Sequence, residues 1–268
     1  MSAPSIIDWH GPRRQAHDCG GGHGKPLVVW AEDGNAYCHR CAETFYRDER
    51  EPRAPRPVQL VHRVDDVDRW KRDRSIDVWA ASRQITAECL VAPYFAARGV
   101  PLPPVDGDLR WLQDLRLFGF SGPALVGGMS PATDHRERRG VHLTWLQNGP
   151  GGWRRQERRY LGPKKGCVVR LWPEEDVSAG LAIGEGLETM LALAHAYRPC
   201  WAALDAGNLA EFPLLAGIES LLIAADHDDA GIKAAEACAA RWAAAGREAS
   251  IALPARAKAD INDLAVAA

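Results

Sequence analysis

The chain has 268 residues, of which 46% are hydrophobic and 25% are charged. This composition is typical of globular proteins and excludes a disordered, collagen-like or coiled-coil chain. The 33 basic and 35 acidic side chains nearly cancel, so the average charge does not indicate a nucleic-acid binder. No run of about 18 apolar residues is present, so we expect no membrane-spanning helix. The seven cysteines and the absence of a secretory signal predict reduced thiols in a cytoplasmic protein.

Shifts in composition divide the chain into four predicted segments. Residues 1–46 contain closely spaced cysteines and histidines. Residues 47–74 mix both charges and hold three prolines within six positions, which favours an extended linker because proline cannot continue a helix. Residues 75–170 form a basic middle region, and residues 171–268 form a C-terminal domain.

The N-terminal segment has the pattern of a zinc-binding hairpin. The runs PLVVW and NAYC predict two short strands joined across Asp33-Gly34. This hairpin returns the pair Cys38 and Cys41 beside the pair Cys19 and His23. So small a unit has little core, so metal binding would contribute much of its stability. The predicted ligands of a structural zinc ion are Cys19, His23, Cys38 and Cys41. His17 and His39 remain alternatives to His23.

Short apolar runs alternate with helical patterns in the C-terminal domain. The runs LAIG, CWAAL, SLLIAA and EASIAL predict strands, and helical periods follow the first and the third. Apolar strands that alternate with helices are typical of a parallel sheet covered on both faces. We therefore predict an α/β domain of the nucleotide-binding kind.

Carboxylates follow two of these predicted strands. Glu185 follows the first strand, and Asp226 and Asp228 follow the third, at the sheet edge where α/β domains hold their sites. If the third strand continues through residue 228, alternation places both aspartates on the same side. Such a like-charged cluster favours Mg²⁺, which clamps phosphates during in-line displacement. Asp229 is expected to cap the following helix instead.

The middle region carries the positive charge. Residues 135–170 contain ten basic and two acidic side chains, whereas residues 171–268 contain six basic and fifteen acidic ones. This division predicts one surface for a polyanion and another for cations. The predicted contacts to a nucleic-acid backbone or nucleotide are Arg154, Arg155, Arg158, Arg159, Lys164 and Lys165. Because neighbouring side chains on a strand alternate, at most half of each arginine pair faces one groove.

The middle region is also expected to contain strands. PALVGGM and GVHLTWLQ predict two of them, and WRRQERRYLGPKKGCVVRL predicts a further pair around Gly162-Pro163. His142 is expected to be a structural residue.

The motifs together resemble a known family. IGEGLETMLAL followed by IAADHDDAGIKAA resembles the Toprim motif pair, which is Glu-Gly after a strand and Asp-x-Asp before a helix. The sequence DINDLAV resembles the closing Asp-x-Asn-Asp of phage and mobile-element Toprim primases. The zinc-binding segment, linker and basic region occur in the order of that family's bacterial-type primases. The resemblance implies a Rossmann-like Toprim domain with a mostly parallel sheet, a mixed α+β middle region and a small β zinc ribbon.

The resemblance also implies a function. It implies a DNA primase that makes short RNA primers on single-stranded DNA from ribonucleoside triphosphates, with Mg²⁺ or Mn²⁺, in phage or mobile-element replication. Glu185 would be the acid/base carboxylate, and Asp226 and Asp228 would hold metal. Glu188 and Asp263 are further implied magnesium ligands. A separate replicative helicase is an expected partner, a membrane is not, and the location would be the cytoplasm of a bacterial host.

Two other functions use the same features. A Toprim nuclease would use the same carboxylates and Mg²⁺ with water as the nucleophile. A non-catalytic replication module would bind single-stranded DNA without chemistry. The zinc-binding segment and the basic region before Glu185 favour the primase.

Overall fold

Two units make up the chain, Met1–Val61 and His62–Ala268. The computed structural model describes residues 14–15, 27–30, 35–41, 43–46 and 63–254. Within this described part, no helix combines the length and the apolar composition needed to cross a membrane.

A four-stranded antiparallel sheet forms the described part of the first unit. Its strands, in sheet order, are β1 (Arg14–Gln15), β2 (Leu27–Trp30), β3 (Asn35–Cys38) and β4 (Glu43–Tyr46). In the antiparallel pair of β2 and β3, Trp30 is opposite Asn35 at one end and Leu27 is opposite Cys38 at the other, which confirms the predicted hairpin. Cys38 ends β3 and is buried, and Cys41 lies in the turn that follows. The other two predicted zinc ligands, Cys19 and His23, and the alternative His17 lie outside the described residues.

The second unit begins with a helix, α1 (Arg63–Ala81). Residues 63–74 are therefore helical, although the sequence assigns them to the linker. Residues 63–74 lack the prolines of the preceding residues, and the C-terminal half of α1 is anchored by packing. The Trp79 ring lies between the guanidinium groups of Arg110 and Arg138, which are 4.2 and 3.9 Å from the ring centroid. The four-segment division itself stays a prediction.

A ten-stranded sheet runs through the second unit. Its strands are β5 (Arg83–Gln84), β6 (Leu109–Leu112), β7 (Ala124–Pro131), β8 (Gly140–Gly149), β9 (Gly152–Leu161), β10 (Cys167–Arg170), β11 (Gly180–Gly184), β12 (Cys200–Ala202), β13 (Ser220–Ala224) and β14 (Glu248–Ala252). The order is β14-β13-β11-β12-β10-β7-β6-β5, with β8 paired to β7 and β9 paired to β8. The helices that accompany the strands are α2 (Ala92–Ala97), α3 (Leu187–Leu193), α4 (Ala206–Ala210) and α5 (Asp229–Ala244).

The sheet changes character at β10. Strands β11 to β14 pair in parallel, as the sequence predicts, whereas β10 pairs antiparallel with β12 on one side and β7 on the other. The pairing predicted between the strands around Gly162-Pro163 is wrong, because β9 instead pairs with β8. The antiparallel middle region and the parallel C-terminal domain thereby form one continuous sheet.

Apolar side chains cover both faces of the parallel part. Ala182 of β11 packs in the same core as Met190 of α3, whereas Leu181 of β11 packs in the opposite core with Trp242 of α5. This alternation explains why β11 reads as an uninterrupted apolar run. The two cores fix the position of the strand ends, and with them the residues that follow β11 and β13.

Gly184, the last residue of β11, gives a test of this packing. A Cβ atom there would lie 2.6 Å from the Met190 sulfur and 2.7 Å from the Ala224 carbonyl oxygen. We therefore expect Gly184→Ala to lower the free energy of unfolding by about 1–3 kcal/mol, because the Ala224 carbonyl belongs to the backbone of β13, which would have to shift. Gly149→Ala is the matched control, since a Cβ atom there meets nothing within 4 Å. Equal unfolding midpoints in urea for the two variants would contradict this account.

Candidate active site

Carboxylates gather at the C-terminal edge of the parallel strands. Gly184 of β11 is paired in register with Ala224 of β13, so the residues that follow leave neighbouring strands at the same edge. Adjacent strands lie about 4.8 Å apart, which brings Glu185 and Asp226 close together. On the other side of β11, β12 leads into Asp205. We call Glu185, Asp205, Asp226 and Asp228 the carboxylate cluster.

Glu185 has a strongly perturbed carboxyl group. Partial burial, followed by the negative charges of Asp226, Asp228 and Asp205, raises its pKa to about 7. The three aspartates are therefore near enough for their charges to act on Glu185. Without a cation, the Glu185 carboxyl therefore holds its proton through most of the acid range.

The two predicted metal aspartates follow β13 through a turn. The strand ends at Ala224, and the Asp228 amide donates to the Asp226 carbonyl at 2.8 Å. The argument from strand alternation is therefore wrong, because these residues are not part of the strand. Both charges nevertheless reach Glu185.

The capping role expected of Asp229 belongs to Asp228. The Asp228 side chain accepts a hydrogen bond from the Gly231 amide at 2.8 Å, and its backbone is extended. Asp229 is already the first helical residue of α5. Asp228 thus caps α5 with one oxygen while its charge contributes to the cluster.

Asp205 is a member of the cluster that the sequence reading missed. Its side chain caps α4 by accepting from the Asn208 amide at 2.8 Å, and it forms an ion pair with Lys164 at 2.8 Å. Burial raises the pKa of Asp205, but the hydrogen bonds from Lys164 and Asn208 outweigh it, so the pKa is lowered overall. The run Asp-Ala-Gly-Asn after an apolar strand is a helix-start signal that would have located it.

The loop before Asp205 is held in place from both sides. Leu204 adopts a left-handed conformation with φ of 77°, which a leucine rarely takes. Its amide donates to the Glu185 carbonyl at 2.9 Å, and its carbonyl accepts from the Tyr160 hydroxyl at 2.9 Å. These bonds connect β9 to the loops after β11 and β12, so they fix the cluster relative to the basic strand.

A bulge in β9 determines which arginines face the cluster. Thr144 pairs with Arg158, but beyond an irregularity at Trp145–Leu146, Leu146 pairs with Arg155. One extra residue in β9 therefore puts Arg155 and Arg158, three positions apart, on the same face. Arg155 forms an ion pair with Glu188 at 3.0 Å, and the Arg158 charge opposes the rise in the pKa of Glu185.

The remaining predicted basic contacts are divided between the two faces. Lys164 joins the cluster side through Asp205. Arg154 precedes Arg155 and so lies on the opposite face, as does Arg159, which pairs with Glu157 at 2.9 Å. Lys165 is exposed in the turn after β9. The structure thus brings Arg158 and Lys164 to the cluster and Arg155 to Glu188, within the limit set by strand alternation.

Glu188 lies in the first turn of α3 and is bound by two donors. The Tyr94 hydroxyl of α2 and the Arg155 guanidinium both contact its carboxylate. Burial, and then the Glu188 charge, raise the pKa of the Tyr94 phenol above its usual value. In this arrangement Glu188 links α2, α3 and β9, and its role as a magnesium ligand stays a prediction.

The donor set of the cluster fits a hard divalent cation. Within the described stretches, no three His, Cys, Asp or Glu side chains already stand together as a metal-binding group. The cluster nevertheless consists of carboxylate oxygens, which Mg²⁺ prefers, and a cation there would relieve the repulsion at Glu185. Asp263, the remaining predicted ligand, lies outside the described residues.

Two family models together match most of the second unit. Residues 180–268 match a family model described as Toprim domain, and residues 69–171 match one described as Domain of unknown function (DUF7146). The first match confirms the Toprim domain that the motif pair predicts, and the observed sheet confirms the mixed α/β fold class. No curated protein matches the chain.

Three solved structures resemble the chain at low sequence identity. The primase fragment of the bacteriophage T7 primase-helicase protein is 16% identical, with 96% of this chain and 94% of that chain covered and a TM-score of 0.41. A DNA primase domain from Pseudomonas aeruginosa is 15% identical over 74% of each chain, with a TM-score of 0.43. The zinc-binding and RNA polymerase domains of the Aquifex aeolicus primase are 15% identical over 94% of this chain and 74% of that one, with a TM-score of 0.39.

The raised pKa of Glu185 predicts a pH-dependent cost of the cluster. Because the folded pKa of about 7 exceeds the usual 4.5, the metal-free folded state loses stability as the pH rises from about 4.5 to 7. Glu185→Gln removes this ionisation. After allowance for solvent screening, we expect it to raise the free energy of unfolding by about 1–2 kcal/mol at pH 8 and by much less at pH 5. Urea unfolding in the presence of EDTA measures both values.

The control for this measurement is Glu236→Gln on the exposed side of α5. This variant should change the free energy of unfolding only slightly, and by the same amount at pH 5 and pH 8. If Glu185→Gln behaves like the control at pH 8, the carboxylates do not interact as described.

Proposed function

We propose that the chain is a DNA primase, a nucleotidyltransferase that makes short RNA primers on single-stranded DNA from ribonucleoside triphosphates. The observation that supports this proposal is the carboxylate cluster of the Toprim domain, which faces the basic side chains of β9. The DINDLAV sequence is the reason to propose phage or mobile-element replication, in a bacterial cytoplasm and beside a separate replicative helicase.

The carboxylates divide the work in this proposal. Glu185, Asp226 and Asp228 would hold Mg²⁺ or Mn²⁺. Either ion would neutralise the negative charge that develops on the reacting phosphate. Glu185, whose pKa is raised to about 7, is the group suited to accept the proton of the attacking 3′-hydroxyl. Asp228 also holds the start of α5 in place through its cap, so metal binding and helix position are connected.

The basic side chains of the cluster side would hold phosphates. Arg155 and Lys164 are paired with Glu188 and Asp205, and each can exchange its carboxylate partner for a phosphate oxygen. Arg158 is exposed and can contact a phosphate without first giving up a carboxylate partner. The outward-facing Arg154, Arg159 and Lys165 are then available for the template backbone, where contacts are independent of sequence.

A single assay tests the reaction. Single-stranded template, labelled ribonucleotides and Mg²⁺ should yield short RNA primers, and Asp226→Asn should reduce their rate at least about 100-fold because a charged metal ligand is lost. Asp229→Asn is the matched control, since Asp229 is exposed and lies next to the same turn. It should retain the rate within about twofold.

Other products of the same assay would contradict the proposal. Shortening of the template identifies a nuclease. Template binding without any product identifies a non-catalytic module. Primer synthesis that survives Asp226→Asn would show that the carboxylate cluster is not the catalytic site.

We propose separately that the first unit binds zinc and contacts the template. Cys38 and Cys41 lie at one end of the β3–β4 hairpin, as a shared metal ion requires. Metal analysis should return about one zinc per chain, and Cys38→Ser combined with Cys41→Ser should remove it and unfold this unit. Cys89→Ser in the second unit is the control and should keep the zinc. Zinc retained by the double variant would refute the assignment.

A further inference from the structure

A small cavity lies behind the first turn of α3, and we call it the α3 cavity. Its volume is about 30 Å³, which is room for a single water molecule or hydroxyl group. Most of its wall is apolar and comes from α2, the strands β6 and β7, and α3. Its polar lining includes His142, Thr144, Arg155, Arg158 and Glu188, together with Tyr94, whose hydroxyl donates to Glu188.

His142 is the feature of the cavity that packing does not explain. Its side chain is only 3% exposed, and its Nδ1 atom has no hydrogen-bond partner among the described residues. Burial, and then the charges of Arg158 and Arg155, lower its pKa to about 3, so the ring is neutral at physiological pH. A neutral imidazole has one donor and one acceptor nitrogen, and an unpartnered one that is buried costs folding free energy.

The cavity adjoins the carboxylate cluster. Arg158 lines the cavity, and its charge also lowers the pKa of Glu185 against the rise caused by burial and the aspartates. Gly186, which directly follows Glu185, is part of the cavity wall. Arg155 is 48% exposed and marks the side on which the cavity meets solvent. A ligand held at the cluster therefore has the cavity within reach.

The lining selects the kind of group that fits. Two guanidinium groups disfavour a cation, and the Glu188 carboxylate with the apolar walls disfavours an anion. The volume is too small for a nucleobase. A neutral group of hydroxyl size remains, and the His142 ring with the Thr144 hydroxyl offers it both a donor and an acceptor.

We propose that the α3 cavity binds a ribose hydroxyl of the nucleotide through His142 and Thr144, and that it thereby selects ribonucleotides over deoxyribonucleotides. This inference rests on the proposed function, since it assigns part of that substrate to a second set of residues. A site built to hydrogen-bond a hydroxyl discriminates against the analogue that lacks it, because its polar groups are then left unpaired.

The test compares ATP with dATP in wild type and in two variants, Thr144→Val and His142→Phe. Primer synthesis gives kcat/KM for each nucleotide, and equilibrium binding with Ca²⁺ in place of Mg²⁺ gives a readout without turnover. We expect the ATP-to-dATP preference to fall about tenfold in each variant, through a loss on ATP alone. Leu143→Val, on the opposite face of β8, is the control and should leave the preference unchanged.

The outcomes separate this inference from the proposed function. If the wild type makes primers but the variants keep its ATP-to-dATP preference, or lose activity with both nucleotides equally, the ribose site alone is overturned. The cavity is then a site for water. A wild type that neither makes primers nor binds nucleotides overturns both proposals. Thermal unfolding accompanies the assays: His142→Phe should raise Tm because it removes the unpartnered nitrogen, and Thr144→Val tests the same site without a change of shape.

Discussion

Repulsion between carboxylates at one edge of a parallel sheet is the constraint on which the second unit depends. The register of β11 with β13 puts Glu185 beside Asp226, and the loop after β12 adds Asp205. Partial burial and then these neighbouring charges raise the pKa of Glu185 to about 7, so the site opposes folding rather than supporting it. The two apolar cores that sandwich the parallel strands supply the stability that holds this arrangement together.

The antiparallel half of the sheet supplies the opposite charge, and two local features direct it. Pairing of β10 with β12 joins the halves, and the bond from Tyr160 to the Leu204 carbonyl holds β9 against the loop before Asp205. The bulge in β9 then determines which of its side chains share a face of the sheet. Without the extra residue, Arg155 and Arg158 would lie on opposite faces of β9, and they could not both line the α3 cavity.

The parts of the fold that sequence predicts are those fixed by local pattern. Apolar runs between helical periods located the parallel strands, and strand ends located Glu185 and Asp226. The bulge in β9 was not predictable, because it depends on how β8 and β9 pair and not on either strand alone. The cap of α5 was assigned to Asp229 instead of Asp228 because capping depends on where the backbone enters the helix, a boundary that composition leaves uncertain by a residue.

His142 shows why a buried polar residue is ambiguous in sequence and informative in structure. In GVHLTWLQ it occupies a strand position whose neighbours are apolar, so a core role is the natural expectation. Its unpartnered Nδ1 atom is unusual for a core residue, since buried histidines usually have their nitrogens satisfied. A nucleotide carries anionic phosphates and neutral ribose hydroxyls within one molecule. With a bound cation, the carboxylate cluster would suit the former, and the α3 cavity would suit the latter. One bound nucleotide would therefore relieve two separate costs of this fold, the carboxylate repulsion and the unpaired imidazole.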